Sequence, residues 1–231
     1  MKIHIYADGS NLEEMISLYK NNKLVCGFTT NPSLMKKAGV KDYSEFARRV
    51  TETIKDVPIS FEVFADELPE MERQAKVIAG FGSNVYVKIP VTNTKGESTK
   101  QVIKNLLDSG IPVNVTAVFT RKQIKELKSF LKSSTPVILS IFAGRIADTG
   151  IDPKPIMKHA IKTMPENVKV LWASPREVFN VYEADQINCH IITITSDLLA
   201  KLSLKNKDLT EYSLDTVKMF YNDAASSNYT L

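Results

Sequence analysis

The chain is poor in the residues on which secreted and metal-bound proteins are built. Its 231 residues include two cysteines and three histidines. Cys26 and Cys189 cannot make a disulfide framework. No C-x-x-C, H-x-x-H or close His–carboxylate spacing appears, so no metal is expected. His4 and His190 belong to apolar runs and His159 to a helical pattern, which leaves no histidine placed for a Ser-His-Asp triad. Long hydrophobic runs are missing, and no window approaches the roughly 18 apolar residues of a membrane span. Asp8, Glu13 and Glu14 interrupt the N-terminal stretch before a signal-peptide core forms, so a cytoplasmic protein is expected. Charge of one sign is missing as well: 30 Lys+Arg against 26 Asp+Glu leave a net +4. The lysines are scattered among acids, as on a solvated face, so no nucleic-acid partner is expected. A basic pocket for an anionic substrate stays open.

What is present is an alternation. With 43% hydrophobic residues the chain has ample material for a core. Short, β-branched apolar runs recur at 3–7, 24–28, 58–64, 85–89, 112–118, 136–142, 168–173 and 190–194. Several are apolar on both faces, as parallel strands covered on two sides are. Helical stripes lie between them: Leu12, Met15, Ile16 and Tyr19; Phe46, Val50 and Ile54; Leu68, Met71, Ala75 and Ile78; Val102, Ile103, Leu106 and Leu107; Ile124, Leu127 and Leu131; Ile156, Ala160 and Ile161; Val178, Val181 and Tyr182. Ser10 with Glu13 fits a capping box, and Thr120 and Gln123 stand before the Ile124 stripe. Leu198, Leu199 and Leu202 follow the eighth run, and Leu214, Val217 and Phe220 come last. Eight units of about 29 residues predict an α/β chain closed as a (β/α)8 TIM barrel with an additional C-terminal helix. No linker divides it, so residues 1–231 read as one domain with a helical tail from about residue 209. An open doubly wound sheet ranks second, because no Gly-rich phosphate turn follows the first run.

In such a barrel, chemistry belongs at the C-terminal ends of the strands. Asp8 ends the first run, Asn31 follows the second, Glu62 lies inside the third, Lys88 near the end of the fourth, Asn114 and Thr116 in the fifth and Ser140 in the sixth with Arg145 just beyond, while Ser174 and Arg176 follow the seventh; in a barrel they converge on one mouth. Lys88 stands in an otherwise apolar strand. It is either an end-of-strand lysine snorkelling to water or a desolvated amine suited to forming a Schiff base with a ketone. Asp8 and Glu62 read equally as caps, as partners of Lys88, or as acid–base groups. Arg145 and Arg176 read as surface charges or, with Ser174, as a phosphate clamp.

The stretches Thr29-Thr30-Asn31-Pro32-Ser33, Glu62-Val63, Val87-Lys88-Ile89-Pro90, Val113-Asn114-Val115-Thr116, Phe119-Thr120, Phe142-Ala143-Gly144-Arg145 and Ala173-Ser174-Pro175-Arg176 together resemble the transaldolase family. The closer likeness is to its short branch, which includes the fructose-6-phosphate aldolases. It runs in order from Asp8 to about residue 220.

The resemblance implies a class I mechanism with no metal or organic cofactor. Lys88 would form the imine with the ketose. Asp8 would act on the hydroxyl whose deprotonation cleaves the carbon–carbon bond, and Glu62 and Thr116 would hold the catalytic water. Asn31, Asn114 and Ser140 would bind the three-carbon fragment. Arg145, Ser174 and Arg176 would grip the sugar phosphate. Glu62 and Phe142 resemble true transaldolases, where the aldolases tend to carry Gln and Tyr. The expected activity is therefore transfer of a dihydroxyacetone unit from a ketose phosphate such as fructose 6-phosphate to an aldose phosphate such as erythrose 4-phosphate. The alternatives are aldolase cleavage without an acceptor, or a non-catalytic sugar-phosphate-binding barrel. Ser140-Ile141-Phe142, Ala147 and the 91–96 loop depart from the family pattern near the mouth and bear on substrate identity. The tail helix implies a homo-oligomer, a pentamer or a ring-based decamer.

Overall fold

The computed structural model describes residues 1–227 and Tyr229. The eight apolar runs are strands: β1 (His4–Asp8), β2 (Val25–Thr29), β3 (Ile59–Glu62), β4 (Val85–Pro90), β5 (Val113–Val118), β6 (Val137–Ile141), β7 (Val168–Trp172) and β8 (Ile191–Ile194). All pair in parallel with their sequence neighbours, and β8 pairs with β1 through His4 opposite Ile191 and Ala7 opposite Ile194. The sheet is a closed eight-stranded barrel with no free edge.

The helices are α1 (Leu12–Asn21), α2 (Pro32–Lys37), α3 (Tyr43–Thr53), α4 (Leu68–Ala79), α5 (Lys100–Asp108), α6 (Arg121–Lys128), α7 (Ala143–Asp148), α8 (Lys154–Thr163), α9 (Phe179–Gln186), α10 (Ser196–Lys201) and α11 (Leu209–Ser226). Their stripes face the strands: Val50, Ile54, Ala75, Ile103, Leu106 and Ile124 are fully buried. Each of the Val, Leu and Ile side chains contributes about 1.5–3 kcal/mol over its exposed state. Thr120 and Gln123 form a capping box. Ser10 does not cap α1. The Gly9 N–H still bonds to the Thr29 carbonyl at 3.1 Å, so the chain leaves the sheet one residue later. Asn11 is the cap and accepts from the Glu14 N–H at 3.0 Å. In α8 the buried side chains are Met157 and Ala160, which turns the covered face away from Ile156 and Ile161.

Strand alternation divides the barrel in two. One set of positions, with Phe28, Phe61, Val87, Val115, Leu139 and Trp172, is sealed beneath the helices. The other set points inward. Its lower part is apolar, where Tyr6, Ile138, Leu171, Ala173 and Ile191 pack together with Tyr86 against them. Gly27 admits the Tyr6 ring, whose atoms would lie 2.7 Å from any Cβ there. The upper part is polar and makes the site.

Contacts divide the chain into two compact units, Met1–Leu199 and Ala200–Leu231. In the second, α11 is capped by Asp208, whose carboxylate accepts from the Thr210 and Glu211 N–H groups. The helix buries no side chain, and Leu214, Val217 and Phe220 are exposed. Among the described residues no helix is long and apolar enough to cross a membrane.

Candidate active site

The upper inward positions are Asp8 of β1, Thr29 of β2, Glu62 of β3, Lys88 of β4, Asn114 and Thr116 of β5, Ser140 of β6 and Thr193 of β8. They converge because a strand's C-terminal end in a parallel barrel always opens on the same face. Asp8, Asn31, Lys88, Thr116, Ser140, Arg145 and Ser174 line one cavity of about 100 Å³, together with Thr29, Phe142, Ala173 and Thr193.

Lys88 is 7% exposed. Its Nζ donates to the Thr30 carbonyl at 3.1 Å and lies 3.0 Å from Glu62 Oε2. The pair follows from register, since Glu62 and Lys88 are direct partners across β3 and β4. The amine is thus held at the cavity wall by one carboxylate and one carbonyl, without reaching bulk water.

Asp8 meets the cavity on one side and protein on all others. Burial pushes its carboxyl above the ordinary carboxylate range, against the opposing effects of the Lys88 charge and of a hydrogen bond from Thr29. The Thr29 hydroxyl donates to Asp8 Oδ1 at 2.7 Å. Its oxygen is 2.5 Å from the Thr193 hydroxyl, which supplies the other proton of the chain.

Across the cavity a buried relay fixes the polar wall. Ser140 Oγ donates to Asn114 Oδ1 at 2.7 Å, and Asn114 Nδ2 donates to Ser60 Oγ at 2.9 Å. Thr116 differs. It is buried, faces the cavity, and its hydroxyl finds no partner within the protein. The next residue, Ala117, has φ of 57°, and the β5–β6 register slips between Val115 and Val118. This irregularity sits where β5 turns Thr116 into the cavity, a common place for backbone strain to be kept.

The rim is formed by α7 and the turn after β7. Gly144 is required there, because a Cβ would lie 1.5 Å from the Ser174 carbonyl oxygen. Ser174 itself takes a left-handed φ of 60°. The Arg145 guanidinium lies 5.2 Å from the centre of the Phe142 ring and borders the cavity. Arg176 does not border it. Its Nε donates to Asp148 Oδ1 at 2.9 Å and a terminal nitrogen bonds the other oxygen, a fork-on-carboxylate pair at the surface.

Asn31 caps α2 by accepting from the Leu34 N–H at 2.9 Å, which leaves its amide N–H groups for the cavity. Glu62 reaches the site through Lys88, and Asn114 through Ser140. Thr193 was not foreseen: in Ile-Ile-Thr-Ile it reads as one more β-branched strand residue, and only closure of β8 on β1 sets it beside Thr29. Among the described residues no group of three or more His, Cys, Asp or Glu side chains is arranged to hold a metal.

Residues 5–230 match the family model described as Transaldolase/Fructose-6-phosphate aldolase. A probable transaldolase of Nitrosopumilus maritimus is 34% identical over 205 residues, 86% of each chain. A probable transaldolase of Streptococcus equi subsp. zooepidemicus is 33% identical over 226 residues, 96% of this chain and 97% of that one. Solved structures with the same fold include KGPDC from Streptococcus mutans, with TM-score 0.56 and 12% identity, over 84% of this chain and 88% of that one. N-acetylneuraminate lyase from Mycoplasma synoviae matches with TM-score 0.58 and 10% identity, over 97% of this chain and 83% of that one. At such identities these two structures speak for the barrel alone. The whole-chain family match and the relatives at one-third identity do more, and the chain belongs to the transaldolase/fructose-6-phosphate aldolase family.

Proposed function

We propose that the protein is a Schiff-base transaldolase, moving a dihydroxyacetone unit from a ketose phosphate such as fructose 6-phosphate to an aldose phosphate such as erythrose 4-phosphate. One observation carries this reading. A buried primary amine, Lys88, lies 3.0 Å from a carboxylate at the wall of a polar cavity that also presents Asp8 and Arg145.

Lys88 Nζ adds to the C2 carbonyl of the ketose. Glu62 passes two protons in turn from the Lys88 nitrogen, which starts as the ammonium, to the departing oxygen, which leaves as water, and the third proton stays on the imine. Thr116, whose hydroxyl has no protein partner, holds that oxygen. Asp8, placed on the far side by Thr29, removes the proton from the C4 hydroxyl. The C3–C4 bond then breaks, its electrons pass into the protonated imine, and the aldose phosphate departs. The enamine that remains adds to the acceptor aldehyde, and the steps run backwards to release product. Ser140 and the amides of Asn114 and Asn31 orient the three-carbon unit, with Ser140 and Asn114 already fixed by the relay to Ser60, so little reorganisation is needed. Arg145 and Ser174 hold the phosphate at the rim, and Arg176 joins them by leaving Asp148.

Borohydride trapping with fructose 6-phosphate, followed by peptide mass mapping, tests the chemistry. A reduced adduct on Lys88 is expected. No adduct with any ketose would leave a sugar-phosphate-binding barrel. An acceptor titration tests transfer: dihydroxyacetone released equally fast without erythrose 4-phosphate would make the protein an aldolase. We further propose a homo-oligomer in which a neighbouring copy covers the exposed Leu214, Val217 and Phe220 stripe. A monomer by light scattering at micromolar concentration would refute it.

A further inference from the structure

The alternation that makes a polar mouth also makes a floor. Along β1 the inward series that ends in Asp8 begins with His4, and along β7 the series through Leu171 begins with Lys169. Both open at the N-terminal ends of the strands, beneath the Tyr6–Ile138–Leu171–Ile191 plug. They line a pocket of about 280 Å³ together with Lys2, Asp185, Asn188 and His190.

The charge of this pocket is unbalanced. Lys2 and Lys169 are exposed cations, and the two imidazoles are proton donors or cations in waiting. Asp185 is the acid among the lining residues, and one of its oxygens already accepts from the Lys2 and Ile3 N–H groups at 2.7 and 3.0 Å. Burial pushes the Cys189 thiol up to about 12 and the Tyr6 phenol above its ordinary range, so neither supplies negative charge. His190 is held in one orientation: its Nδ1 accepts from the Val170 N–H at 3.0 Å, which leaves the proton of the neutral ring on Nε2.

We propose that this floor pocket is a second anion site, taking a phosphate-bearing small molecule against Lys2, His4, Lys169 and His190. Two ammonium groups and two imidazoles give the point charges and N–H donors that a phosphate group accepts from. The volume leaves room for an organic portion beyond the phosphate. Because it lies at the opposite end of the barrel from Lys88, its occupant does not compete with substrate, so the site is one for an effector. Burial and the like charges of Lys169 and His4 push the His190 pKa below the ordinary imidazole value. Lys2 and Asp185 are the other charged groups lining the pocket. A bound phosphate offsets the repulsion, so it raises that pKa.

The three histidines make the test direct, because His159 lies on α8 and serves as an internal control. Imidazole proton resonances of the whole protein are followed at pH 6.5 while inorganic phosphate replaces chloride at constant ionic strength. His4 and His190 should shift saturably while His159 stays still. Lys169→Gln should weaken binding at least tenfold, and Lys2→Gln should weaken it as well. A parallel titration with glycerol 3-phosphate names the occupant: tighter binding identifies an organic phosphate, and equal or weaker binding identifies the free ion. Linear shifts, shifts shared by His159, or affinity unchanged in both lysine variants would overturn the proposal.

Discussion

The Lys88–Glu62 pair is the most demanding test of how the site is built. At 3.0 Å and an effective dielectric of about 20, Coulomb's law gives ~332/(20 × 3.0), or about 5.5 kcal/mol, of attraction. Removing the two charges from water takes back several kcal/mol, so the net value of the pair is small. The cost of breaking it is not small. Glu62→Gln leaves a cation whose side chain is 9% exposed, and Lys88→Met leaves an anion whose side chain is 18% exposed. Each single change should cost about 2–4 kcal/mol, toward the lower end because Asp8 still faces Lys88 and Glu62 retains some water. The double variant, with neither charge, should return to within about 1 kcal/mol of the parent. Urea unfolding of the four proteins at pH 7 reads the cycle. The two single losses less that of the double variant leave a coupling energy of at least about 3 kcal/mol. If the double variant lost the sum of the two singles within about 0.5 kcal/mol, the pair would be uncoupled and the reasoning about a desolvated amine would fail.

Other expectations follow from the same geometry. Thr116→Val removes a buried hydroxyl with no protein partner, so stability should hold or rise by about 1 kcal/mol while kcat falls at least tenfold; a clear loss of stability in thermal melts would show that the hydroxyl is structurally engaged. Asp8 holds its proton to a higher pH in the folded chain than in the unfolded one, so its contribution is full below the unfolded pKa near ~3.9 and is lost as pH rises through the folded value. Asp8→Asn should therefore abolish turnover yet gain stability over the parent with rising pH, and a stability difference constant from pH 3 to 8 would contradict this. Gly144→Ala forces a Cβ into the Ser174 carbonyl and should cost about 1–3 kcal/mol, with KM rising because Ser174 and Arg145 move; a variant that melts like the parent would show that the rim yields freely. Asp148→Asn weakens the hold on Arg176 and should lower KM for phosphorylated substrates severalfold, and a raised KM would mean that Asp148 aims the guanidinium instead.

The barrel was legible because its strands are apolar on both faces and its helices carry full stripes, so period alone separates them. The short helices α2 and α7 were not: six residues make less than two turns, too few for a stripe, and Asn31-Pro32 as cap and first residue is the sole local sign of α2. The start of α1 was misplaced by one residue, since Ser10 and Asn11 are comparable caps and the Gly9–Thr29 ladder bond that decides between them is long-range. Of the site, the residues at strand ends were readable from position, but their pairing was not. Arg176 and Asp148 are 28 residues apart, and nothing in either segment says that this arginine faces a carboxylate and not the cavity. Thr193 was invisible for the same reason: its role exists only through closure of the barrel.

That closure has a consequence for a shortened chain. Asp8 lies on the first strand, and the hydroxyl chain that positions it ends in Thr193 on the last. A chain cut before β8 therefore keeps Lys88 and Glu62 but lacks the outer hydroxyl behind Asp8. On the proposed mechanism, loss of β8 should therefore leave a chain without turnover, because Asp8 loses the hydroxyl chain behind it.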